Sequence, residues 1–540
     1  MASSDRPRLR LWVFNLLSGS EEGEDMKLDK VIITNRGALK EKYDEKFGRV
    51  EQAIQRLIAA DQKRGLDTKL VAIDSESDMA AARGQAVKEK DDQRAVKKAV
   101  DALFDAYEPD YIMILGAQDI VPHQDLKNPA YDPGGDDDKV VPSDLPYACE
   151  APYSKEPGDF VGPTRVVGRV PDLVRSSDPA YLVSLLGTAA RHKTRSRAEY
   201  QKYFSVSAEV WQASTALSLT KIFGSSTSMA TSPPKGPSWT SAELGRRVHF
   251  INCHGSPEDP NFYGQRGRNY PIAHTAGKLV KKIMNGTVIA VECCYGAQLY
   301  DPADADMQPG ICSTYLRDGA YGFFGSSTIA YGPSEGNGQA DLICQYFIDE
   351  VLDGASLGEA TLKARHRFAQ AYTHVDPTDL KTVIQFHLFG DPSIHAVGAA
   401  PHALARTKTF KEAFRERQNT KGTRKLRRER AARTGSNLRK TLGTPNRSDE
   451  VLPGGVEAVL QSIARESGLV NFGAQSFTVR FPDEATVETM KRFASVREGR
   501  ALYMVSGARP LPKEAPGRVV VITGTVQNGQ LIYMRRVHSR

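Results

Sequence analysis

The feature that most constrains the fold is a repeated alternation of short apolar runs with longer segments of helical periodicity. "KVIITNRGAL" contains an apolar core of strand length, and "FGRVEQAIQRLIAADQKRG" follows with apolar residues at helical spacing. The pattern recurs in "TKLVAID", "DQRAVKKAVDALFDAYEPD" and "YIMILGAQDIVP". Strands that alternate with helices indicate βαβ units and a parallel sheet, whose functional loops lie at the carboxyl ends of the strands.

The same alternation resumes further along the chain and ends near residue 398. "RVHFINCHG", "GTVIAVECC" and "GAYGFFGSS" are apolar runs that end in small or reactive residues, and Ser356 with Glu359 forms a capping box at the start of a helical segment. We therefore predict an α/β protein with two adjacent parallel-sheet subdomains and a small C-terminal α+β module. The predicted boundaries are an N-terminal extension at 1–27, subdomains at 28–175 and 176–398, a basic linker at 399–450 and the module at 451–540.

Composition excludes several classes of protein. The chain of 540 residues is 40% hydrophobic and 25% charged, as is typical of globular proteins. Its six cysteines are too few and too scattered for a disulfide scaffold. The sequence has no CxxC pair, so a zinc site is not indicated. No apolar run approaches the roughly 18–20 residues of a membrane span, and the N-terminal apolar patch is shorter than a signal-peptide core. We expect a cytoplasmic protein with no membrane partner.

Two charged stretches have several interpretations. "YDPGGDDDK" is predicted to be a solvated loop, although such an acidic cluster can also bind calcium. Residues 401–450 contain fifteen Lys/Arg and five Asp/Glu, and they are predicted to form a linker or a solvent-exposed helix. "KGTRKLRRERAAR" could neutralise phosphates, but it lacks interleaved aromatic residues for base stacking, so nucleic-acid binding is the weaker alternative.

Two of the predicted strands end in groups that suit acyl transfer. One run ends in His254-Gly255 and another in Cys293-Cys294. Because the carboxyl ends of parallel strands meet at one edge of a sheet, these groups can face a common cleft. A cysteine with a pKa of about 8.5 needs a nearby base to act as a nucleophile at neutral pH, and histidine suits that task. Gly255 lets a carbonyl approach the backbone, where its N–H can stabilise an oxyanion.

The adjacent cysteines are predicted to have different roles. Neighbouring residues at the end of a strand point to opposite faces, so one thiol can pack in the core while the other enters the cleft. Cys294 lies nearer the turn and is followed closely by Gly296, so we assign Cys294 as the nucleophile and Cys293 as core packing. A single buried cysteine is usually inert and a single His-Gly is usually a turn. The conjunction of the two motifs at strand ends favours a cysteine hydrolase.

The sequence around these motifs resembles the gingipain family of cysteine peptidases, which belongs to the caspase-like clan. "VPSDLPYACE" and "TRVVGRVPD" resemble the family's segment between its two α/β halves. "CHGS", "ECCYGAQLYDP", "GAYGFFGSS" and "LFGDPSI" resemble successive blocks of the catalytic half, so the similarity covers roughly residues 28 to 398. The resemblance implies two adjacent caspase-like subdomains with the active site in the second. The secreted members carry signal sequences, and their absence here favours an intracellular role.

The resemblance also implies roles for individual residues. It supports Cys294 as nucleophile and His254 as the group that transfers the proton, and it implies that Glu209 orients the histidine. After "GSS" the family places the specificity pocket. Its residues here would include Ser326 and two positions in "TIAYGPSEGNG": Tyr331 as a wall, and Glu335, or Ser334 in its place, at the base of the pocket.

The sequence therefore predicts a cysteine endopeptidase that cleaves a protein or peptide substrate through a thioester, after Arg or Lys, without a metal or other cofactor. The alternatives are an inactive peptidase fold that binds a partner and a nucleic-acid-binding protein. Because the basic linker is rich in Arg and Lys, the enzyme could cut itself within "TRKLRRERAAR", residues 423 to 433. The competing interpretation is that this segment is a helix docked on the fold.

Overall fold

The structure is a computed structural model that describes residues 28–372, 374–398, 410–481, 500–509 and 518–540. The predicted N-terminal extension, 1–27, and the first part of the predicted linker, 399–409, lie outside the described residues.

The first half of the chain forms parallel strands flanked by helices, and both bury apolar side chains in one core. Its elements are β1 (Lys30–Thr34), α1 (Arg36–Tyr43), α2 (Phe47–Lys63), β2 (Thr68–Ala72), α3 (Glu76–Ala81), α4 (Gln93–Tyr107), β3 (Tyr111–Leu115), β4 (Gln124–Lys127), β5 (Val140–Ser143), β6 (Val167–Val170) and α5 (Ala180–Ala190). Helix α5 packs against α2, although it follows the predicted boundary at 175.

The second half repeats this arrangement and adds short strands near its carboxyl edge. Its elements are β7 (Tyr203–Ala208), α6 (Gln212–Phe223), β8 (Met229–Ser232), α7 (Ser241–Leu244), β9 (Val248–Asn252), β10 (His254–Gly255), β11 (Asn261–Tyr263), β12 (Ile272–Thr275), β13 (Val288–Val291), α8 (Ile311–Arg317), β14 (Gly322–Ser326), β15 (Tyr331–Gly332), α9 (Gln339–Leu352), α10 (Leu357–Gln370), α11 (Pro377–Gln385) and β16 (Phe386–Phe389). The predicted capping box begins α10: the Ser356 hydroxyl accepts a bond from Glu359 N–H, and the Glu359 carboxylate accepts one from Ser356 N–H.

Within the described residues the two halves share one ten-stranded sheet, in the order β2-β1-β3-β6-β16-β14-β13-β9-β7-β8. Strand β16 joins the halves, because it pairs in parallel with β6 and antiparallel with β14. All other neighbours in this sheet are parallel. The predicted α/β class with two adjacent parallel-sheet subdomains is confirmed, and the sheets of the two halves are continuous.

The predicted basic linker contains a long helix, α12 (Phe410–Thr441), which is docked on the body. Four of its arginines pair with acidic groups of the two halves: Arg424 with Asp29 and Asp110, Arg427 with Glu359, Arg428 with Asp110 and Arg439 with Glu150. This part of the chain is a helix, as one of the two predicted alternatives has it, but one side of the helix is docked on the body instead of being wholly exposed. The four paired arginines are neutralised by the fold, which leaves fewer charges available for phosphates.

The aspartate-rich segment is also different from its prediction as a solvated loop. Asp136 is fully buried and accepts a hydrogen bond of 2.5 Å from Lys381 of α11. Asp138 lies 3.4 Å from the same ammonium group, and Asp132 accepts a bond of 2.6 Å from Ser506. The carboxylates of Asp136 and Asp138 thus balance the buried charge of Lys381.

The C-terminal module is an antiparallel sheet with a helix on one face. It contains β17 (Thr444–Ser448), α13 (Gly454–Glu466), β18 (Asn471–Arg480), β19 (Arg500–Ala508), β20 (Val519–Gln527) and β21 (Gln530–Ser539). In β20, Val520 and Ile522 pack in a small cluster with Leu460 of α13, whereas Val519 and Val521 join the large core of the body. Both faces of the strand are thus buried, and one of them attaches the module to the body.

The edge of the module's sheet is formed by a strand of the second half. The order of the described strands is β15-β21-β20-β19-β18-β17, and β15 pairs antiparallel with the end of β21. None of the helices in the described ranges has an apolar stretch long enough to cross a bilayer.

Candidate functional site

Two parallel strands of the second half bring the predicted reactive groups together. Strands β9 and β13 are neighbours, and Ile251 pairs with Val291 near their carboxyl ends. His254 and Gly255 form β10 just beyond β9, and Cys294 follows β13. The two motifs therefore lie at the same edge of the sheet, as their positions in the sequence predict.

The Cys294 thiol is enclosed by the backbone of the segment that leads into β15. Its Sγ accepts a hydrogen bond from Ala330 N–H at 3.3 Å and lies 3.5 Å from Ala330 O. Burial raises the pKa of Cys294 to about 12, so the thiol is neutral in this arrangement. Cys293 is fully buried in the core, where burial raises its pKa well above the ordinary value. The placement of Cys293 agrees with a packing role.

The backbone turns sharply directly after Cys294. Tyr295 has a φ of 53°, a conformation that non-glycine residues seldom adopt. Two contacts hold it there: its N–H donates to Thr328 O at 3.0 Å, and its hydroxyl donates to Asp138 at 2.9 Å. Backbone strain of this kind is common where a chain must present a reactive group.

The imidazole of His254 is buried among aromatic side chains. Its Nε2 lies 2.8 Å from Oε1 of Gln265, and its ring centroid lies 4.2 Å from that of Trp211 and 5.4 Å from that of Tyr270. Nδ1 has no hydrogen-bond partner among the described residues. Burial lowers the pKa of His254 to about 3, so the ring is neutral in this arrangement.

Glu209 does not take the place that the resemblance implied. Its carboxylate pairs with Arg266, and the side chain is about one-third exposed. Within the described residues the nitrogen of His254 that carries a partner is bonded to Gln265 instead. In this structure the neutral amide of Gln265 contacts His254, while the Glu209 carboxylate pairs with Arg266.

The last residue of the sequence, Arg540, lies between the two motifs. Its backbone oxygen accepts hydrogen bonds from Gly255 N–H at 3.4 Å and Cys294 N–H at 3.3 Å. Its own N–H donates to Ala330 O at 2.9 Å. Glycine at position 255 lets the two motifs lie this close together, since a Cβ atom there would lie 1.9 Å from Cys294 O. The Gly255 N–H, which the sequence predicts to hold an oxyanion, thus holds a backbone oxygen together with the N–H of Cys294.

The Arg540 side chain fills a closed pocket beside the same residues. Its Nη2 donates to both oxygens of Asp341, at 2.8 and 2.9 Å, and to Pro333 O at 3.1 Å. The guanidinium carbon lies 4.4 Å from the ring centre of Trp211. Gly332 forms the entrance, where a Cβ atom would lie 2.0 Å from Nη2. The arginine and Asp341 are both fully buried.

The pocket differs from the one predicted from "TIAYGPSEGNG". Glu335 is exposed, and Ser334 is half-buried outside these contacts. The carboxylate that binds the guanidinium is Asp341, in the first turn of α9. The exposed Glu335 thus lies outside the contacts of Arg540, and the chain re-enters the core at Asp341, six residues later.

The other two predicted pocket residues have supporting positions. The Ser326 hydroxyl donates to Cys293 O at 2.9 Å and lies 3.1 Å from Thr328 O, so it fixes the backbone behind the thiol. Tyr331 belongs to β15, and its buried hydroxyl donates to Asp136 at 2.6 Å. Its backbone, not its ring, faces the strand that contains Arg540, because Tyr331 pairs with Ser539 of β21.

A comparison with protein families gives a match in this part of the chain. Residues 273–397 match the model of Peptidase family C25. The matched range contains Cys294, Gly332 and Asp341 but not His254. The resemblance to gingipain-type cysteine peptidases is confirmed over that range. No curated protein matches the chain.

Solved structures show more remote similarity. One described as "Structure of Protease" is 12% identical, covers 94% of this chain and 96% of its own, and has a TM-score of 0.43. Two separase–securin complexes of Saccharomyces cerevisiae are 13% and 12% identical, cover 43% of this chain and 14% of their own, and have TM-scores of 0.28 and 0.27. These values are too low to transfer a function.

Four residues of the site were not predicted from the sequence: Trp211, Gln265, Glu292 and Asp341. Glu292 had a signal, since a carboxyl in the apolar run "VIAVECC" must be buried. Burial, together with the nearby charge of Asp341, raises the pKa of Glu292 well above its usual value. It is therefore a neutral acid beside the pocket. Asp341 had no comparable signal, because acidic residues are common in the first turn of a helix.

One group of side chains in the described ranges is close enough to hold a metal ion: His123, Asp144 and His387. Arg169 donates to both oxygens of Asp144, at 2.8 and 2.5 Å. Although burial opposes ionisation, the guanidinium holds the pKa of Asp144 well below its usual value. A cation would have to displace this arginine, so the cluster is explained as a buried ion pair.

Proposed function

We propose that the protein is a cysteine endopeptidase that cleaves peptide bonds after arginine. The observation that carries this proposal is the position in which Arg540 is bound. Its N–H, its backbone oxygen and its side chain are each bound at the place that a substrate residue before a scissile bond would need. The similarity of residues 273–397 to a cysteine peptidase family supports the same reaction.

The chemistry follows from the groups around that position. The sulfur of Cys294 attacks the carbonyl carbon, and the thiol proton passes to the neutral ring of His254. Negative charge develops on the carbonyl oxygen between the N–H groups of Gly255 and Cys294. These N–H groups lie 3.4 and 3.3 Å from the Arg540 oxygen, and an oxyanion formed at that place can draw closer to both. His254 then protonates the leaving amine, and water hydrolyses the thioester.

The pocket favours arginine over lysine. A guanidinium can stack on the Trp211 ring while it donates to Asp341 and to Pro333 O, whereas an ammonium is a single point charge on a narrower stem. Both charges are removed from water, so a neutral side chain would leave Asp341 without its partner. Discrimination against neutral residues should therefore be strong.

The docked helix α12 changes the prediction of self-cleavage. A substrate residue must be extended to pair with β15, but residues 423 to 433 are helical, and Arg424 is buried against the body. Cleavage in this segment would require the helix to unwind first. We therefore propose protein or peptide substrates that present an extended arginine, rather than α12 in its docked form.

The test measures cleavage of fluorogenic peptides that carry Arg, Lys, Asp or Leu before the reporter. It uses the full chain and its Arg540→Ala variant, each with and without Cys294→Ala. We expect cleavage after Arg that depends on Cys294. Asp341→Asn should lower kcat/KM for the Arg peptide by about 100-fold, since a desolvated charge pair is lost. Glu335→Gln is the matched control and should leave the rate unchanged.

The result that would overturn the proposal is the absence of any cleavage that depends on Cys294, in both the full chain and the Arg540→Ala variant. That result would favour the alternative of an inactive peptidase fold that binds arginine-containing partners.

A further inference from the structure

The substrate cleft is occupied by the chain's own C-terminal strand. The end of β21 pairs antiparallel with the edge strand β15, with Tyr331 opposite Ser539 and Gly332 opposite His538. Addition of an extended segment to an exposed strand is a common way of binding a peptide. Here the added segment belongs to the same molecule and carries Arg540, whose side chain fills the pocket.

The occupant uses every contact that the proposed reaction needs. The backbone of β15 is paired, the N–H groups of Gly255 and Cys294 are bonded to the Arg540 oxygen, and Asp341 is bonded to the guanidinium. The rest of the site is closed around it, since Cys294 and His254 are 3% and 1% exposed. An external peptide cannot reach the thiol until Arg540 leaves.

The position of this segment is fixed by the module to which it belongs. Strand β21 pairs with β20 along its length, from Gln530 to His538. Ser539 also accepts a hydrogen bond from Val519 N–H at 3.2 Å. A ligand tethered this closely has an effective concentration of the order of millimolar, so a dilute external peptide competes poorly with it.

We propose that the end of β21, residues 538–540, is an internal inhibitor that keeps the peptidase site closed until it is displaced from β15. This inference rests on the proposed function, because it assigns the regulation of the same site. It also gives the module beyond residue 443 a role: the module's sheet holds the inhibitory segment in register with the cleft.

Displacement breaks the contacts of the last three residues only. His538 and Ser539 are paired with β15 and Arg540 is bound in its pocket, whereas Gln530–Val537 are paired with β20 alone. The last residues can therefore leave the cleft while the module stays folded. A substrate and the segment then compete for one site.

Binding of a fluorescent peptide with the sequence RVHSR, that of residues 536–540, tests the inhibitor without relying on turnover. Fluorescence anisotropy is measured in the Cys294→Ala background, with Arg540 intact or replaced by Ala. We expect binding to the Arg540→Ala chain at least ten-fold tighter than to the chain that retains Arg540. Arg536→Ala is the matched control, since Arg536 is an exposed residue of the same strand and should leave the site closed. A peptide that ends in Ala should not bind.

Equal binding to both chains, or binding to neither, would overturn the inhibitor. Unchanged thermal midpoints would show that Arg540→Ala leaves the fold intact. If the midpoint changes, a second measurement on the wild-type chain takes its place. Iodoacetamide should label Cys294 slowly in the wild type, and free arginine amide at millimolar concentration should accelerate that labelling if it displaces the segment. Unaccelerated labelling of Cys294 also rejects the inference.

Turnover separates this inference from the proposed function. If the peptide binds only when Arg540 is absent but neither chain cleaves any substrate, the internal ligand stands and the peptidase proposal fails. If both chains cleave arginine peptides at equal rates, the peptidase stands and the inhibitor fails. We expect the Arg540→Ala chain to cleave at least ten-fold faster than the wild type.

Discussion

Two glycines leave room at the site: Gly255 for the backbone of Cys294, and Gly332 for the side chain of Arg540. A Cβ atom at Gly255 would lie 1.9 Å from the backbone oxygen of Cys294, so a side chain there would force the two strand ends apart. A Cβ atom at Gly332 would meet the guanidinium of Arg540, whose nearest atom lies at 2.0 Å. The first position is needed by the fold of the site, whereas the second is needed by its occupant.

Gly332→Ala should therefore leave the fold intact and close the pocket to arginine. In the Arg540→Ala background, we expect kcat/KM for an arginine peptide to fall at least 100-fold with an unchanged thermal midpoint. In the otherwise wild-type chain, the same substitution should expel Arg540 and expose Cys294 to iodoacetamide. Gly454→Ala is the control, because no atom lies within 4 Å of a Cβ at that position. Undiminished cleavage of arginine peptides would contradict this account of the pocket.

The sequence predicts the positions of Cys294 and His254 better than the position of Asp341, the acid of the proposed specificity pocket. Cys294 and His254 end apolar runs, and parallel strands place such ends together by geometry. Asp341 reaches the pocket only because the chain after β15 folds back and begins α9 with that residue in its first turn. Glu335 has the same charge and lies nearer in sequence, but burial decides between the two, and burial depends on contacts that no local pattern contains.

Among the elements, the aspartate-rich segment from the first half supports the strand that binds the occupant. Asp136 accepts hydrogen bonds from Lys381 of α11 and from the Tyr331 hydroxyl of β15. Burial raises the pKa of Asp136 to about 6 despite the charge of Lys381. Asp138 accepts a bond of 3.1 Å from Ile329 N–H, directly before β15. A loop of one half thus fixes the substrate edge of the other.

A comparison of Asp136→Ala with Asp137→Ala should distinguish the buried carboxylate that supports β15 from an exposed one. Asp136→Ala leaves Lys381 buried without its closest partner, so we expect the free energy of unfolding to fall by about 3 kcal/mol. In the Arg540→Ala background, cleavage of arginine peptides should also become slower as β15 shifts. Asp137→Ala is the control, because Asp137 is exposed and should behave like wild type. Equal stability of the two variants in urea would refute the proposed support.

At the scale of the whole molecule, the segments predicted to be separate are integrated with the body. Helix α12 is held by ion pairs to both halves, and one face of β20 is buried in the large core. The charge pattern of 401–450 indicated exposure, because a local pattern does not reveal acidic partners such as Asp29 and Asp110, which lie hundreds of residues away. The two α/β halves were predictable because their periodicity is local, whereas the position of the module depends on contacts between distant segments.

The attachment of the module should control the closed state of the site. Arg535 of β21 pairs with Asp376 and Asp379 at the start of α11, and the two carboxyl groups are nearly buried. Arg535→Gln leaves both aspartates without their cation, which should destabilise the docked module by about 3 kcal/mol. As the module loosens, the end of β21 should leave β15, and iodoacetamide should label Cys294 faster.

Arg536 provides the matched control for this prediction. It is the next residue on the same strand, it is exposed, and its Nη1 lies 3.3 Å from the hydroxyl of Ser467 at the end of α13. Arg536→Gln should therefore change neither the labelling of Cys294 nor the hydrogen exchange of β15. If Arg535→Gln also leaves both measurements unchanged, the module does not hold the inhibitory segment through this ion pair, and the contacts of residues 538–540 alone must keep the site closed.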